Sequence, residues 1–218
     1  MKISPSAAKT TAALRTHQAR LGRCRRCPNM VGPPVYGIPI ASSVLLVGQA
    51  PGSREVDIRK PFAWTAGRTL FQWFAGIGLT EAPFRGLVYM SAVCRCFPGK
   101  NPGGGDREPS KEEVSNCSPW LQRELDLLQP RLVIPVGKLA IRSFLPAAAK
   151  LEALVGRVHL VRRGAQAIDV IPLPHPSGAS VWPRIEPGKT LLAQALALIE
   201  AHPCWRQLCK RDAPADGA

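Results

Sequence analysis

With 218 residues, 45% of them hydrophobic, the chain is long enough to bury one substantial core and has no internal repeat. It carries 29 Lys and Arg against 15 Asp and Glu, a net charge of +14. Such an excess points to a polyanionic partner, and Trp64, Trp73, Trp120 and Trp182 spread among the arginines point to nucleic acid. No apolar run approaches the roughly 18 residues of a membrane span, no basic amphipathic helix suggests a membrane surface, and the opening Met1-Lys-Ile-Ser-Pro-Ser lacks a signal segment. A cytoplasmic protein that does not bind membranes is therefore expected.

In chain order, residues 1–21 read as a basic arm or helix, and the Pro- and Gly-rich stretch 28–40 as loop. Residues 43–48, Ser-Val-Leu-Leu-Val-Gly, form a short, wholly apolar run ending in glycine, the pattern of a buried parallel strand. A helix follows over 66–78, with Leu70, Phe71, Phe74 and Ile77 on one face, then a second strand over 87–93. Residues 99–106 are expected to be a flexible loop. Ser110-Lys-Glu-Glu113 is a capping box opening a helix to about Leu128. A third strand over 131–137 leads to a helix over 138–144. A fourth strand over 167–172 runs into Pro174-His-Pro-Ser-Gly-Ala-Ser180, and a last helix covers 188–201. Strands alternating with helices predict a three-layer α/β/α sandwich around a short, mostly parallel four-stranded sheet. Its site belongs at the carboxyl ends of the strands. The domain is expected over 22–205, with a flexible tail over 206–218, and a monomer is expected.

Cysteines carry the other signal. Cys24 and Cys27 form a CxxC, which turns two thiolates toward one centre; Cys94 or Cys96, and then Cys117, follow far along the chain. Seven cysteines, an odd number, with no signal segment argue against a disulfide framework. A metal centre is the better reading, either an iron–sulfur cluster or zinc. Cys204 and Cys209 fall outside the pattern.

Three segments reach the carboxyl ends of the strands: Gly48-Gln-Ala-Pro-Gly52, Ser91-Ala-Val-Cys-Arg-Cys96 and His175-Pro-Ser-Gly-Ala-Ser180. In this order they resemble the uracil-DNA glycosylase superfamily, and most of all its iron–sulfur-containing family 4. That family's Gly-Glu-Ala-Pro-Gly, Glu, Pro-Phe and Ala-Gly positions are met by Gly48–Gly52, Glu55, Pro61-Phe62 and Ala66-Gly67. Its strand-end cysteine is met by Cys96-Phe-Pro, its closing cysteine by Cys117 and its His-Pro motif by His175-Pro176. The resemblance covers about residues 22–201.

The resemblance implies a repair enzyme that flips uracil out of single- or double-stranded DNA and hydrolyses its N-glycosidic bond, leaving an abasic site. It implies a 4Fe–4S cluster on Cys24, Cys27, Cys96 and Cys117, with zinc as the alternative. His175 would donate a hydrogen bond to uracil O2 as charge develops there, and Gln49 would orient the attacking water. Gly48, Ala50, Pro51, Gly52, Ser91 and Ser177 would line the base pocket, and Phe62 would stack on the base. Ser53 and Gly178 would let the backbone approach phosphates, with Trp182 as the wedge and Arg184 as a phosphate contact.

Two positions depart from the family. Gln49 stands where it carries a Glu, so no side chain of the first motif can take the water's proton; Glu55 or Asp57 are substitutes. Ala92 stands where it reads uracil with an Asn, so Ser91, Asn101, Gln49 or backbone groups must do so. These departures leave two alternatives: a glycosylase for hypoxanthine or xanthine, and a non-catalytic nucleic-acid-binding module.

Overall fold

The apolar runs become strands of one sheet in the computed structural model, which describes residues 4–212. The strands are β1 (Val44–Gly48), β2 (Tyr89–Ala92), β3 (Leu132–Pro135), β4 (His159–Arg163) and β5 (Gln166–Val170), in spatial order β2-β1-β3-β5-β4. Pairs β1–β2, β1–β3 and β3–β5 are parallel, whereas β4 runs antiparallel to β5. The sheet thus has five strands, where the sequence predicted four. The additional β4 sits at the edge and contains Arg162 and Arg163 among half-exposed positions. It has no apolar run to announce it.

Among the described residues the helices are α1 (Pro5–Leu21), α2 (Ser53–Ile58), α3 (Thr65–Ala75), α4 (Glu81–Leu87), α5 (Lys111–Leu128), α6 (Lys138–Arg142), α7 (Leu151–Leu154), α8 (Gly188–Ala201) and α9 (Pro203–Asp212). The pleat sends alternate strand side chains to opposite layers. Val44, Leu46, Met90, Leu132 and Ile134 pack with Leu70, Phe71 and Phe74 of α3, Phe84 of α4, Ile199 of α8 and Trp205 of α9. Leu45, Val47, Tyr89, Val133, Ile168 and Val170 pack on the other face with Leu14 of α1, Leu121 and Leu125 of α5 and Ile141 of α6. No helix among the described residues is long and apolar enough to cross a membrane.

Three local outcomes bear on the site. The capping box at the start of α5 forms as read: Ser110 Oγ accepts from Glu113 N–H at 3.2 Å, and Glu113 Oε2 from Ser110 N–H at 2.7 Å. Residues 99–106, predicted as a flexible loop, make a closed hairpin that ends at Arg107. Arg107 N–H donates to Gly99 O, Asn101 N–H donates to Gly105 O, and Lys100 pairs with Asp106. Glycines with positive φ at 99, 104 and 105 make its bends feasible. At the other end, residues 206–212 continue α9, because Trp205 and Leu208 are buried against Phe74 and Phe84. The remaining stretch, 213–218, lies outside the described residues.

Candidate active site and cysteine centre

Chain order reverses at β1, whose sheet neighbours are β2 on one side and β3 on the other. The carboxyl ends of strands at such a point leave a crevice. A cavity of about 500 Å³ opens there. Gly48, Gln49, Ala50, Pro51, Gly52, Phe62, Ser91, His175 and Ser177 all line it. Ala92, Trp64, Asp106 and Arg107 line it as well. Of the residues proposed from sequence, Ser53, Gly178, Trp182 and Arg184 lie outside its lining.

Gly137, just beyond β3, is the hinge of the arrangement. Its φ of 87° and ψ of 160° belong to a region essentially restricted to glycine. A Cβ there would lie 2.9 Å from both Gln49 Cδ and His175 Cδ2. Gln49 and His175 therefore flank the same glycine, one delivered by β1 and the other by the continuation of β5. Only the glycine closing the β3 run hinted at this in the sequence.

The protonation pattern of these two side chains follows from their partners. Leu139 N–H, at the start of α6, donates to Gln49 Oε1 at 2.9 Å. A backbone amide can only donate, so Gln49 is left with its NH₂ to offer. Ser177 N–H donates to His175 Nδ1 at 3.3 Å, which makes Nδ1 the acceptor and leaves the proton on Nε2. Burial pushes the His175 pKa below its ordinary value, with the Asp106 charge opposing. His175 is thus a neutral Nε2–H donor at neutral pH.

Phe62 is held in an unusual backbone conformation, φ 50°. Arg85 fixes it by donating to Pro61 O at 2.8 Å and Phe62 O at 3.0 Å. Gly67 makes room for the Phe62 carbonyl, since a Cβ at 67 would overlap it, and Gly48 makes room for the ring, which a Cβ would meet at 2.9 Å. Such strain costs about 1–3 kcal/mol and persists only where neighbours impose it. The result is a flat aromatic wall over the end of β1. At the mouth, Trp64 is 49% exposed with the Arg54 guanidinium 5.5 Å over its ring.

Four side chains are committed elsewhere. Ser91 Oγ donates to Glu124 Oε2 at 2.8 Å and accepts from Arg95 Nη2 at 2.6 Å. Strand alternation turns Ser91 with Tyr89 toward α5, and Ala92 with Met90 toward the cavity. Only the Ser91 backbone remains for a ligand. Trp182 is half-buried on the core of α8 and donates its indole N–H to Glu152 at 2.8 Å. It does not project as a free wedge, whereas its neighbour Val181 is 58% exposed. Arg184 closes its own loop by donating to Gly178 O at 2.9 Å. Asn101 Nδ2 donates to Asp106 O at 3.3 Å within the hairpin.

Behind β2 lies a buried polar network. Arg95 is paired with Glu124 through both guanidinium nitrogens, at 3.0 and 2.6 Å. Tyr89 donates to Glu124 at 2.9 Å, and His17 of α1 approaches it at 3.5 Å. Burial alone would raise the Glu124 pKa. The Arg95 charge and hydrogen bonds from Arg95 and Ser91 outweigh that and hold it at about 2.

Cys24, Cys27, Cys96 and Cys117 line one cavity of about 610 Å³, together with Arg25, Arg26 and Arg59. Among the described residues, no three His, Cys, Asp or Glu converge tightly enough to hold a single metal ion. Cys94 is not in this lining; it is fully buried in the core beside β2. The adjoining Cys94 thiol, with Arg95 assisting, lowers the Cys117 pKa against the effect of burial. Burial pushes Cys96 up to about 12. Four thiols around one open cavity form a donor set that suits a cysteine-ligated centre.

A mostly parallel sheet with a cavity at its switch point, one wall aromatic and the other presenting a neutral imidazole, marks an α/β/α protein with an enzyme-like site. The uracil DNA glycosylase superfamily model matches residues 34–199, and the chain belongs to that superfamily. It is 30% identical over 149 residues, 66% of this chain and 70% of the relative, to a protein named type-4 uracil-DNA glycosylase from Archaeoglobus fulgidus. A protein of the same name from Sulfurisphaera tokodaii is 28% identical over 156 residues, 70% of this chain and 67% of the relative. A type-5 uracil-DNA glycosylase from Pyrobaculum aerophilum is 29% identical over 192 residues, 74% and 81% respectively.

Proposed function

We propose that this protein is a monofunctional uracil-DNA glycosylase that extracts uracil from DNA and hydrolyses its N-glycosidic bond, opening base excision repair. The observation that carries this is the neutral His175, its Nε2 left as donor, in the same cavity as Phe62. A base leaving as an anion needs a donor at its developing negative oxygen, and a neutral imidazole with its proton on Nε2 donates without first taking one up. Phe62 stacks on the extracted base, because stacking compensates for the neighbours lost from the helix. Gln49 NH₂ and the backbone of Ser91 and Ala92 contribute the polar contacts that read uracil in place of the missing amide. Trp64 and Arg54 sit at the mouth, where an emerging strand would meet a ring and a charge. Ser53, Gly178 and Arg184 follow as phosphate contacts, with Val181 better exposed than Trp182 for a wedge.

Cys24, Cys27, Cys96 and Cys117 would hold a 4Fe–4S cluster, which supplies a structural tie and an electrostatic field rather than a step in hydrolysis. Cys94 supports Cys117 from behind as a hydrogen-bond donor. The protein acts on DNA as a monomer in this reading.

The test is excision from a single-stranded oligonucleotide with one uracil, scored by alkaline cleavage at the abasic site. Wild-type protein should cleave, and His175→Ala should be slower by about 10²-fold, the effect of one lost donor worth about 3 kcal/mol. A folded wild-type protein that leaves uracil in place, while excising hypoxanthine or xanthine, would reassign the substrate.

A further inference from the structure

The first motif has no acid, yet an acid reaches its wall from another part of the chain. Among the substitutes considered from sequence, Asp57 pairs with Arg54 on the surface and is not part of the cavity lining. Glu55 lines the cavity, but its Oε2 accepts from Gly52 N–H at 3.0 Å and caps α2. Asp106 comes from the 99–107 hairpin. A Cβ on Gly52 would lie 3.1 Å from Asp106 Oδ2, so the carboxylate rests directly against the Gly48–Gly52 turn. Lys100 Nζ holds the other oxygen, Oδ1, at 2.6 Å. The hairpin is anchored at its base by Arg107, which donates to Glu113 at 2.8 Å and to Asn29 O at 3.2 Å. Asp106, 44% exposed and paired with Lys100, thus lines the cavity that holds Gln49, Phe62 and His175.

We propose that Asp106 activates the attacking water, carried into the site by the hairpin in place of the acid that Gln49 replaces. The proposal rests on the glycosylase reading above. The bond from C1′ to uracil N1 breaks, and its electron pair leaves with the base, whose anion accepts from His175 Nε2–H. The water oxygen bonds to C1′, and its proton passes to Asp106 Oδ2. Asp106 then gives that proton to the uracil anion or to bulk water, returning to a carboxylate. Its negative charge also faces the cation-like sugar as the bond opens. Gln49, with only NH₂ hydrogens to offer, can hold the water but cannot take its proton.

The experiment is single-turnover excision by the full chain, as wild type, Asp106→Asn and Glu55→Gln, from about pH 4 to 9. Binding of the same oligonucleotide and thermal melting are measured alongside. Asp106→Asn should lose about 10²- to 10⁴-fold in rate. It should bind and melt like wild type, and it should lack the acid limb of the pH profile. Asp106→Asn with the wild-type rate or the wild-type acid limb would overturn the proposal and leave the glycosylase reading standing. So would loss of the acid limb in Glu55→Gln instead, or a loss of rate in Asp106→Asn that tracks lost binding or melting. A wild-type protein that excises no uracil would overturn both.

Discussion

Gly137 shows how one residue sets the spacing of two others. It lies between Gln49 and His175 with a backbone conformation that disfavours any side chain. Gly137→Ala should lower stability by about 1–3 kcal/mol through backbone strain. Excision by the folded protein should also fall, on the order of 10²-fold, because a displacement of about 1 Å at reacting groups is enough for that. Melting and single-turnover rates on the same preparation check this; a folded variant with the wild-type rate would mean that Gly137 serves the fold alone. At this scale the sequence was legible where function resides in contiguous motifs: Gly48–Gly52, Phe62 and His175 all reach the cavity. It was not legible where a long-range contact decides a side chain's direction. Ser91 is drawn inward by Glu124, 33 residues away in sequence, and Trp182 is held by Glu152, 30 residues away. No local pattern encodes either contact.

Among elements, the Arg95–Glu124 network joins β2, α5 and α1 through groups that are almost wholly buried. Glu124 titrates near 2 in the folded protein against an ordinary 4.5. The unfolded chain therefore binds the proton first. The stabilisation is complete above about pH 4.5 and is lost as pH falls toward 2, at up to about 1.4 kcal/mol per pH unit. Glu124→Gln should cost about 3–5 kcal/mol at neutral pH by stranding the Arg95 charge. It should also remove this acid slope, as urea unfolding between those pH values would reveal; an unchanged slope would assign it to other groups. Strands β1 and β3 were readable because a strand covered on both faces is apolar throughout. The β4 strand was not, since its residues alternate partial exposure and carry charge. The short α2 and α4 have too few turns for a period to stand out.

For the whole molecule, the cysteine cavity and the base cavity draw on opposite ends of one segment, 91–96. Ala92 lines one and Cys96 the other, with Arg95 between them bound into the core. Cys96→Ser should abolish the absorbance near ~400 nm expected of a cluster-loaded protein, whereas Cys94→Ser should retain it. The reverse result would exchange the two assignments. Legibility of the cysteines was partial for a simple reason: CxxC is a local spacing, whereas the choice between Cys94 and Cys96 depends on which side of a bend each faces.

The arginines of β4 have a further consequence. An outermost strand offers unpaired backbone groups to any passing strand, the usual seed of self-association. Here that border carries Arg162 and Arg163, so a second copy of this already cationic chain would have to bring like charge against like charge to extend the sheet. The same positive excess that suits the molecule to a polyanion thus opposes extension of the sheet across this edge.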